Sequence, residues 1–88
     1  MREVKMFILE NCPHCRKARE IMDELCRENA AYAKVEVEVI DEGKEPQIAA
    51  AYDYYYVPTF YVDGVKVMEG VPSRDGITKV FAAAIGEK

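Results

Sequence analysis

The chain begins with an almost unbroken apolar run from Val4 to Leu9. Such a run is typical of a strand covered on both faces, as in the parallel part of an α/β sheet. Proline is favoured at the first position of a helix, so Pro13 predicts a helix with Cys12 at its N-cap. Apolar residues then recur at helical spacing and predict an amphipathic helix that ends near Asn29. These apolar positions are Cys15, Ala18, Ile21, Met22, Leu25 and Cys26.

The middle of the chain predicts two more strands and a helix. The segment Lys34 to Ile40 alternates apolar and polar residues, as a half-exposed strand does. Because a helix joins it to the first strand, the two strands should be parallel. Pro46 opens a second helix that we expect to extend to about Tyr52. The third predicted strand runs from Val57 to Val62.

The end of the chain predicts a hairpin and a helix. Asp63-Gly64 is typical of a tight two-residue turn, and the segment Val65–Glu69 after it is the fourth predicted strand. Ser73 is suited to cap a final helix. The residues that share one apolar face of this helix are Ile77, Val80, Phe81, Ala84 and Ile85.

These elements predict an α/β fold in the order β-α-β-α-β-β-α, with a four-stranded mixed sheet flanked by three helices. The chain has 88 residues, and half of them are apolar. This length suits a single domain, residues 1–88, with a modest core.

Charge and composition narrow the classes of function. The formal net charge is −4 and there is no polybasic run, which argues against a nucleic-acid partner. The N-terminal segment resembles a strand more than a signal peptide, and no stretch approaches the roughly 20 apolar residues of a membrane span. An odd number of cysteines, three, is unlike a secreted disulfide scaffold. We therefore expect a cytoplasmic protein, and a monomer, whose cysteines are catalytic or bind metal.

The tetrapeptide Cys12-Pro13-His14-Cys15 is the strongest candidate for chemistry. A thiol attacks only as its thiolate, and the free N–H groups and positive dipole end of a helix N-terminus stabilise a thiolate on Cys12. Cys15 lies one helical turn further on, within the apolar stripe, so it should be the more buried thiol. These positions predict that Cys12 attacks a substrate disulfide and that Cys15 resolves the mixed disulfide.

A metal or iron–sulfur site built from the same thiolates is the alternative from another class. A mononuclear zinc site needs four ligands. The chain offers Cys12, Cys15 and His14, and the place of His14 inside the motif makes it a poor ligand. A site shared across a dimer would supply the missing ligands.

Three features together resemble the thioredoxin superfamily. They are the CPHC motif directly after a first strand, the sequence Val57-Pro58-Thr59 at a third strand, and Gly70 before the last helix. The length and element order resemble its smallest members, the glutaredoxins and thioredoxin-like proteins of similar size. The resemblance implies a thioredoxin-like fold, dithiol reduction of protein disulfides and no bound cofactor.

The resemblance also implies roles for single residues. A cis Val57–Pro58 bond would face the motif and leave the Val57 backbone free to pair with a substrate strand. The implied substrate-binding residues are Tyr56, Val57, Pro58, Thr59 and Gly70. Pro13 and His14 would tune the reduction potential. Pro-His also occurs in the bacterial periplasmic disulfide oxidant, which implies a potential less negative than that of ordinary thioredoxin.

Departures from the family bear on the electron donor. Glutaredoxins usually carry a lysine three residues before the first cysteine, where this chain has Leu9, and a Gly-Gly pair where it has only Gly70. Both changes weaken a glutathione site, so we expect a thioredoxin-type reductase as the donor, with a glutathione-dependent glutaredoxin as the alternative. Thioredoxins usually carry a buried aspartate on the first strand, where this chain has Met6 and Phe7.

Two further features have competing interpretations. Tyr54, Tyr55 and Tyr56 either flank the active site or contribute two side chains to the core and one to the surface. Cys26 lies on the apolar stripe, so we expect a buried, inert thiol. The alternative is a third redox or metal-binding thiol, against which stands its predicted distance of two to three helical turns from Cys12.

Overall fold

The computed structural model describes residues 2–86. Within them, the predicted order of strands and helices is confirmed, with one additional short helix. The elements are β1 (Val4–Ile8), α1 (Pro13–Glu28), α2 (Ala30–Ala33), β2 (Val37–Asp41), α3 (Pro46–Ala49), β3 (Thr59–Val62), β4 (Val65–Glu69) and α4 (Arg74–Ile85). In the same range, no helix is both long and apolar enough to cross a membrane.

The four strands form one mixed sheet in the order β2-β1-β3-β4. As predicted, β1 pairs parallel with β2, in a register from Val4 opposite Val37 to Ile8 opposite Asp41. The pairs β1–β3 and β3–β4 are antiparallel. Because parallel strands end at the same edge of the sheet, the ends of β1 and β2 lie side by side where α1 begins.

Alternate residues of β1 enter two separate cores, one on each face of the sheet. Val4 and Met6 belong to the larger core, which α1, α2 and α4 cover. Phe7 belongs to a smaller core with Ile40, Ala49 and Tyr61. Since Val4, Met6 and Phe7 are at most 1% exposed, the prediction of a strand covered on both faces is confirmed.

Helix α2 was not predicted. The side chain of Asn29, which ends α1, accepts the Ala31 N–H at 2.9 Å and so caps α2 as well. The Tyr32 ring stacks on Phe81 of α4, with ring centroids 5.4 Å apart. This packing holds residues 30–33 as a helical turn, so β2 begins at Val37 and not at the predicted Lys34.

The exposure pattern of β2 also differs from the prediction. Val39 is 39% exposed, whereas the next residue, Ile40, is buried. Val37 and Val39 share the face of Val4 and Met6, as alternation requires, but Val39 is not buried there. β2 lies at the edge of the sheet, and its inward-facing residue there, Ile40, packs into the smaller core beside Phe7.

Two predicted boundaries near the smaller core were wrong. α3 ends at Ala49 because the following N–H groups bond three residues back, from Ala51 to Ile48 and from Tyr52 to Ala49. This tighter turn lets the Tyr52 ring pack against Phe7. β3 begins at Thr59, two residues later than predicted, because Pro58 has no N–H to offer a strand ladder.

The N-cap of α4 gives a direct test of the predicted helix boundary. The Ser73 hydroxyl accepts the Gly76 N–H at 3.0 Å. We expect Ser73→Ala to lower the free energy of unfolding by about 1 kcal/mol, because one N–H of the first turn loses its partner. Ser73→Asp keeps an acceptor and serves as the control. Urea unfolding measures both variants, and an equal loss in the two would contradict the cap as the cause.

Candidate active site

The CPHC motif lies where β1 passes into α1. Asn11 has a positive φ of 61°, a conformation that asparagine tolerates better than most residues. This turn brings Cys12 to the N-cap, where its Sγ accepts the Cys15 N–H at 3.2 Å. The predicted N-cap is confirmed, and the sulfur of Cys12 rests on the positive end of a 16-residue helix.

The two cysteines of the motif have different environments. Cys12 is half-buried, whereas Cys15 is buried and only 4% exposed. Burial, followed by the hydrogen bond with the Cys12 sulfur, raises the pKa of the Cys15 thiol to about 12. The positive charge of Arg19 acts on that pKa in the opposite direction. One turn of helix therefore carries one accessible sulfur and one shielded sulfur.

A shallow groove of about 300 Å³ opens beside these two sulfurs. Arg16 and Arg19, each four residues after a cysteine of the motif, lie along it together with Leu9, Glu10 and Asp41. Glu10 is exposed, and one oxygen of the Asp41 carboxylate accepts the Gly43 N–H at 2.9 Å. Met6 and Phe7 are fully buried and apolar, so no acid occupies the β1 position where thioredoxins usually carry one.

The loop before β3 approaches the motif from the other side. The Val57–Pro58 bond is cis, as predicted. The Thr59 hydroxyl donates a hydrogen bond to the Tyr56 carbonyl, and the Gly70 N–H donates to the Pro58 carbonyl at 2.9 Å. Gly70 has a φ of 89°, which favours glycine.

A second groove, of about 450 Å³, joins this loop to the motif. It is lined by His14, Tyr56, Val57, Glu69, Gly70 and Val71. Within residues 2–86, no hydrogen bond involves the N–H or the carbonyl of Val57. Pro58 and Thr59 lie below the surface, both less than 2% exposed, so they support the loop and do not line the groove. Pro13 takes the first position of α1, between Cys12 and His14.

The three consecutive tyrosines divide between core and surface. Tyr54 packs on Phe7, with ring centroids 4.9 Å apart. Tyr55 and Tyr56 are 85% and 70% exposed, and Val71 nearby in the groove is 74% exposed. The interpretation with two core tyrosines and one exposed tyrosine is therefore wrong. Of the two exposed tyrosines, Tyr56 lines the groove beside the motif.

Sequence reasoning missed Glu69. Its Oε2 accepts the N–H groups of Tyr55 at 2.5 Å and Tyr56 at 2.9 Å, and its Oε1 pairs with Lys66 Nζ at 2.7 Å. The ion pair with Lys66, followed by the two N–H donors, lowers the pKa of Glu69 to about 2. No motif marks this residue, since a glutamate at the end of a strand usually faces solvent.

The third cysteine lies on the core side of α1. Cys26 is half-buried, less than predicted, and packs against the larger core. Its thiol donates a weak hydrogen bond to the Tyr32 carbonyl at 3.7 Å, and burial raises its pKa. Within residues 2–86, no three His, Cys, Asp or Glu side chains are placed to hold a metal ion together. A mononuclear site on Cys12 and Cys15 would need ligands from a second molecule.

Comparison with known sequences gives relatives along nearly the whole chain. A family model described as a thioredoxin domain matches residues 2–82. A thioredoxin of Methanocaldococcus jannaschii is 30% identical over 79 residues, which cover 90% of this chain and 91% of that protein. A probable thioredoxin of Methanothermobacter thermautotrophicus is 33% identical over 72 residues, or 82% of each chain.

Solved structures have the same fold. A protein disulfide oxidoreductase from Aeropyrum pernix superposes with a TM-score of 0.68 at 26% identity, and the match covers 98% of this chain but only 38% of that longer chain. The reduced desulfothioredoxin of Desulfovibrio vulgaris has a TM-score of 0.67 at 19% identity, covering 93% of this chain and 80% of that one. The second likeness concerns the fold alone.

The family model spans most of the chain, the curated relatives match it nearly end to end, and the two cysteines of the motif lie at the start of α1. The chain therefore belongs to the thioredoxin domain family and is a thiol–disulfide oxidoreductase.

Proposed function

We propose that the chain reduces disulfides in proteins by a dithiol mechanism, with Cys12 as the nucleophile and Cys15 as the resolving thiol. One observation carries this proposal. The Cys12 sulfur lies half-exposed on the N-terminus of α1, while the Cys15 sulfur beside it is buried and held protonated. Only the first sulfur can be reached by a large substrate.

The reaction has two exchange steps. The Cys12 thiolate attacks one sulfur of the substrate disulfide, that S–S bond breaks, and the leaving sulfur departs as a thiolate that takes up a proton. Cys15 then loses its proton and attacks the Cys12 sulfur of the mixed disulfide. The second substrate sulfur leaves, so the substrate gains two electrons and the chain ends with a Cys12–Cys15 disulfide. A reductase returns two electrons to that disulfide.

The substrate would lie along the groove that contains Val57. The free N–H and carbonyl of Val57 can pair with an extended peptide as a strand does. The exposed apolar surface of Tyr56 and Val71 suits the side chains beside the substrate disulfide. His14 lines the same groove. His14 and Pro13 therefore tune the reduction potential of the Cys12–Cys15 pair next to the bound substrate. We propose that the protein is cytoplasmic, on the odd cysteine count, and that it is a monomer.

Alkylation tests the assignment of the two thiols. With the pKa of Cys15 at about 12, on the order of one Cys15 molecule in 10⁵ is a thiolate at pH 7. Iodoacetamide should therefore label Cys12 first in the reduced protein, as read by peptide mass spectrometry. Labelling of Cys15 should accelerate as the pH approaches 12, because its thiolate then forms. Faster labelling of Cys15 than of Cys12 at pH 7 would reverse the proposed roles.

Removal of the resolving thiol should trap the intermediate. Cys15→Ser can form the mixed disulfide on Cys12 but cannot release the substrate. Covalent adducts with the substrate should therefore accumulate, and mass spectrometry should detect them before but not after treatment with a reducing agent. Cys12→Ser should form none.

Cys26→Ala is the matched control for the trapping experiment. It also removes a thiol from α1, and it should keep wild-type disulfide reduction while lowering the free energy of unfolding by about 1 kcal/mol. Adducts on Cys26 in any variant, or lost activity in a folded Cys26→Ala protein, would show that the third cysteine takes part.

We propose a flavin-dependent thioredoxin-type reductase as the electron donor. Leu9 lines the groove beside Cys12 and Cys15, at the position where glutaredoxins have a lysine that holds glutathione. Loss of one charge-assisted contact costs about 1.5–3 kcal/mol, or roughly 10- to 150-fold in affinity. Two coupled assays compare NADPH with such a reductase against NADPH with glutathione and glutathione reductase. Turnover should be efficient in the first assay. Leu9→Lys should raise the rate of turnover in the glutathione assay by about 10-fold. Efficient wild-type turnover only with glutathione would make the chain a glutaredoxin.

A further inference from the structure

The Glu69 carboxylate binds donors from three residues. Its Oε2 accepts the consecutive N–H groups of Tyr55 and Tyr56, and its Oε1 accepts a hydrogen from Lys66 Nζ. The same ammonium lies 3.4 Å from the Asp53 carbonyl. Hydrogen bonds to a charged acceptor are stronger than neutral ones. Lys66 and Glu69 therefore tie β4 to both ends of the segment from Asp53 to Tyr56.

A β-bulge makes this arrangement possible. Residues three apart on a regular strand point to opposite faces of a sheet. In β4, Glu69 pairs with Thr59 and Lys66 pairs with Tyr61, so Val67 is an extra residue in the ladder. The bulge brings the side chains of Lys66 and Glu69 to the same face of the sheet. This face also carries the smaller core and the segment from Asp53 to Tyr56.

Among residues 55–58, Val57 alone keeps both of its backbone groups without a hydrogen-bond partner. Glu69 occupies the N–H groups of Tyr55 and Tyr56, the Thr59 hydroxyl occupies the Tyr56 carbonyl, and the Gly70 N–H occupies the Pro58 carbonyl. Val57 lies between these bonded groups with both of its own backbone groups free.

We propose that Glu69 is a positioning residue for disulfide exchange with protein substrates, because its carboxylate holds the Tyr55 and Tyr56 N–H groups and so presents Val57 as the residue that pairs with the substrate strand. This inference rests on the proposed function. Without the carboxylate, two unpaired N–H groups sit beside Val57 and compete for the substrate backbone, and the loop loses order that binding must then restore.

The role proposed for Glu69 affects only substrates that have a peptide backbone. A protein disulfide needs the loop, because its backbone pairs with Val57. A small disulfide such as hydroxyethyl disulfide has no backbone to pair and needs only the Cys12 sulfur. Loss of Glu69 should therefore slow the first reaction and spare the second.

The experiment mixes prereduced protein with excess insulin or excess hydroxyethyl disulfide and follows oxidation of the Cys12–Cys15 pair by acid quench and mass spectrometry. Glu69→Ala should lower the second-order rate constant for insulin by about 10-fold and leave that for hydroxyethyl disulfide within about twofold. Glu69→Gln keeps one carbonyl acceptor and should recover to within about threefold of the wild type. Amide hydrogen exchange at Tyr55 and Tyr56 should accelerate in Glu69→Ala.

We call the two hydrogen bonds from the Tyr55 and Tyr56 N–H groups to the Glu69 carboxylate the clamp. Two further variants separate the effect of the clamp from that of charge. Lys66→Met removes the ion pair but leaves both N–H bonds to Glu69, so its rates should stay within about threefold of the wild type. Glu38→Gln removes an acid that pairs with Lys5 at the opposite edge of the sheet, and it should react as the wild type does.

The outcomes separate this inference from the proposed function. An unchanged insulin rate in Glu69→Ala overturns the inference, and so does an equal loss with both disulfides, since that indicates general damage to the fold. A wild-type protein that reduces neither disulfide overturns the proposed function instead. In that event, unchanged amide exchange at Tyr55 and Tyr56 in Glu69→Ala would still overturn the clamp.

Discussion

The burial of β1 on both faces is the constraint on which the rest of the structure depends. Met6 fills the core under α1 and α4, and Phe7 fills the core on the other face. A strand held from both sides cannot shift along its axis without moving every side chain to the wrong face. The carboxyl end of β1 is therefore a fixed point, and the motif at Cys12 follows from it after four residues.

The same strand places the loop opposite the motif. The Phe7 ring packs against Tyr52 and Tyr54, with centroids 4.8 Å and 4.9 Å away, and meets Tyr61 edge-on at 5.8 Å. Aromatic pairs at these separations stabilise one another beyond the area that they bury. Tyr61 also donates a hydrogen bond from its hydroxyl to the Asp53 carbonyl at 2.5 Å. One residue of β1 thus supports the segment that leads to Val57, while the strand end supports Cys12.

Local patterns were sufficient for elements that depend on their own residues. The N-caps of α1 and α4 need only Cys12 with Pro13, and Ser73. The hairpin at Asp63-Gly64 needs only a turn residue pair. By contrast, α2 exists because Tyr32 reaches Phe81 about 50 residues later, a contact that no local pattern encodes.

The candidate site divides in the same way. The thiol pair depends on a helix start and a spacing of three, so it could be predicted from the residues. The cis bond at Pro58 could be expected only through family resemblance, since most X-Pro bonds are trans. Glu69 could not be found, because its contact with Tyr55 and Tyr56 requires the bulge at Val67. A single extra residue in one strand reverses which face a side chain takes, and nothing in the alternation of β4 indicates it.

The proton of Cys15 is the remaining problem for the proposed cycle, because the buried thiol must ionise before it can resolve the mixed disulfide. Met6 and Phe7 are apolar, so β1 offers no buried acid to take its proton. The acids along the groove, Glu10 and Asp41, are respectively exposed and engaged with Gly43. Arg19 bears on this thiol with a positive charge that favours its thiolate. A negative charge on the Cys12 sulfur disfavours ionisation of Cys15, because the two charges repel. Formation of the mixed disulfide removes that charge. The first step of the proposed cycle thus removes one of the charges that oppose ionisation of Cys15 in the second step.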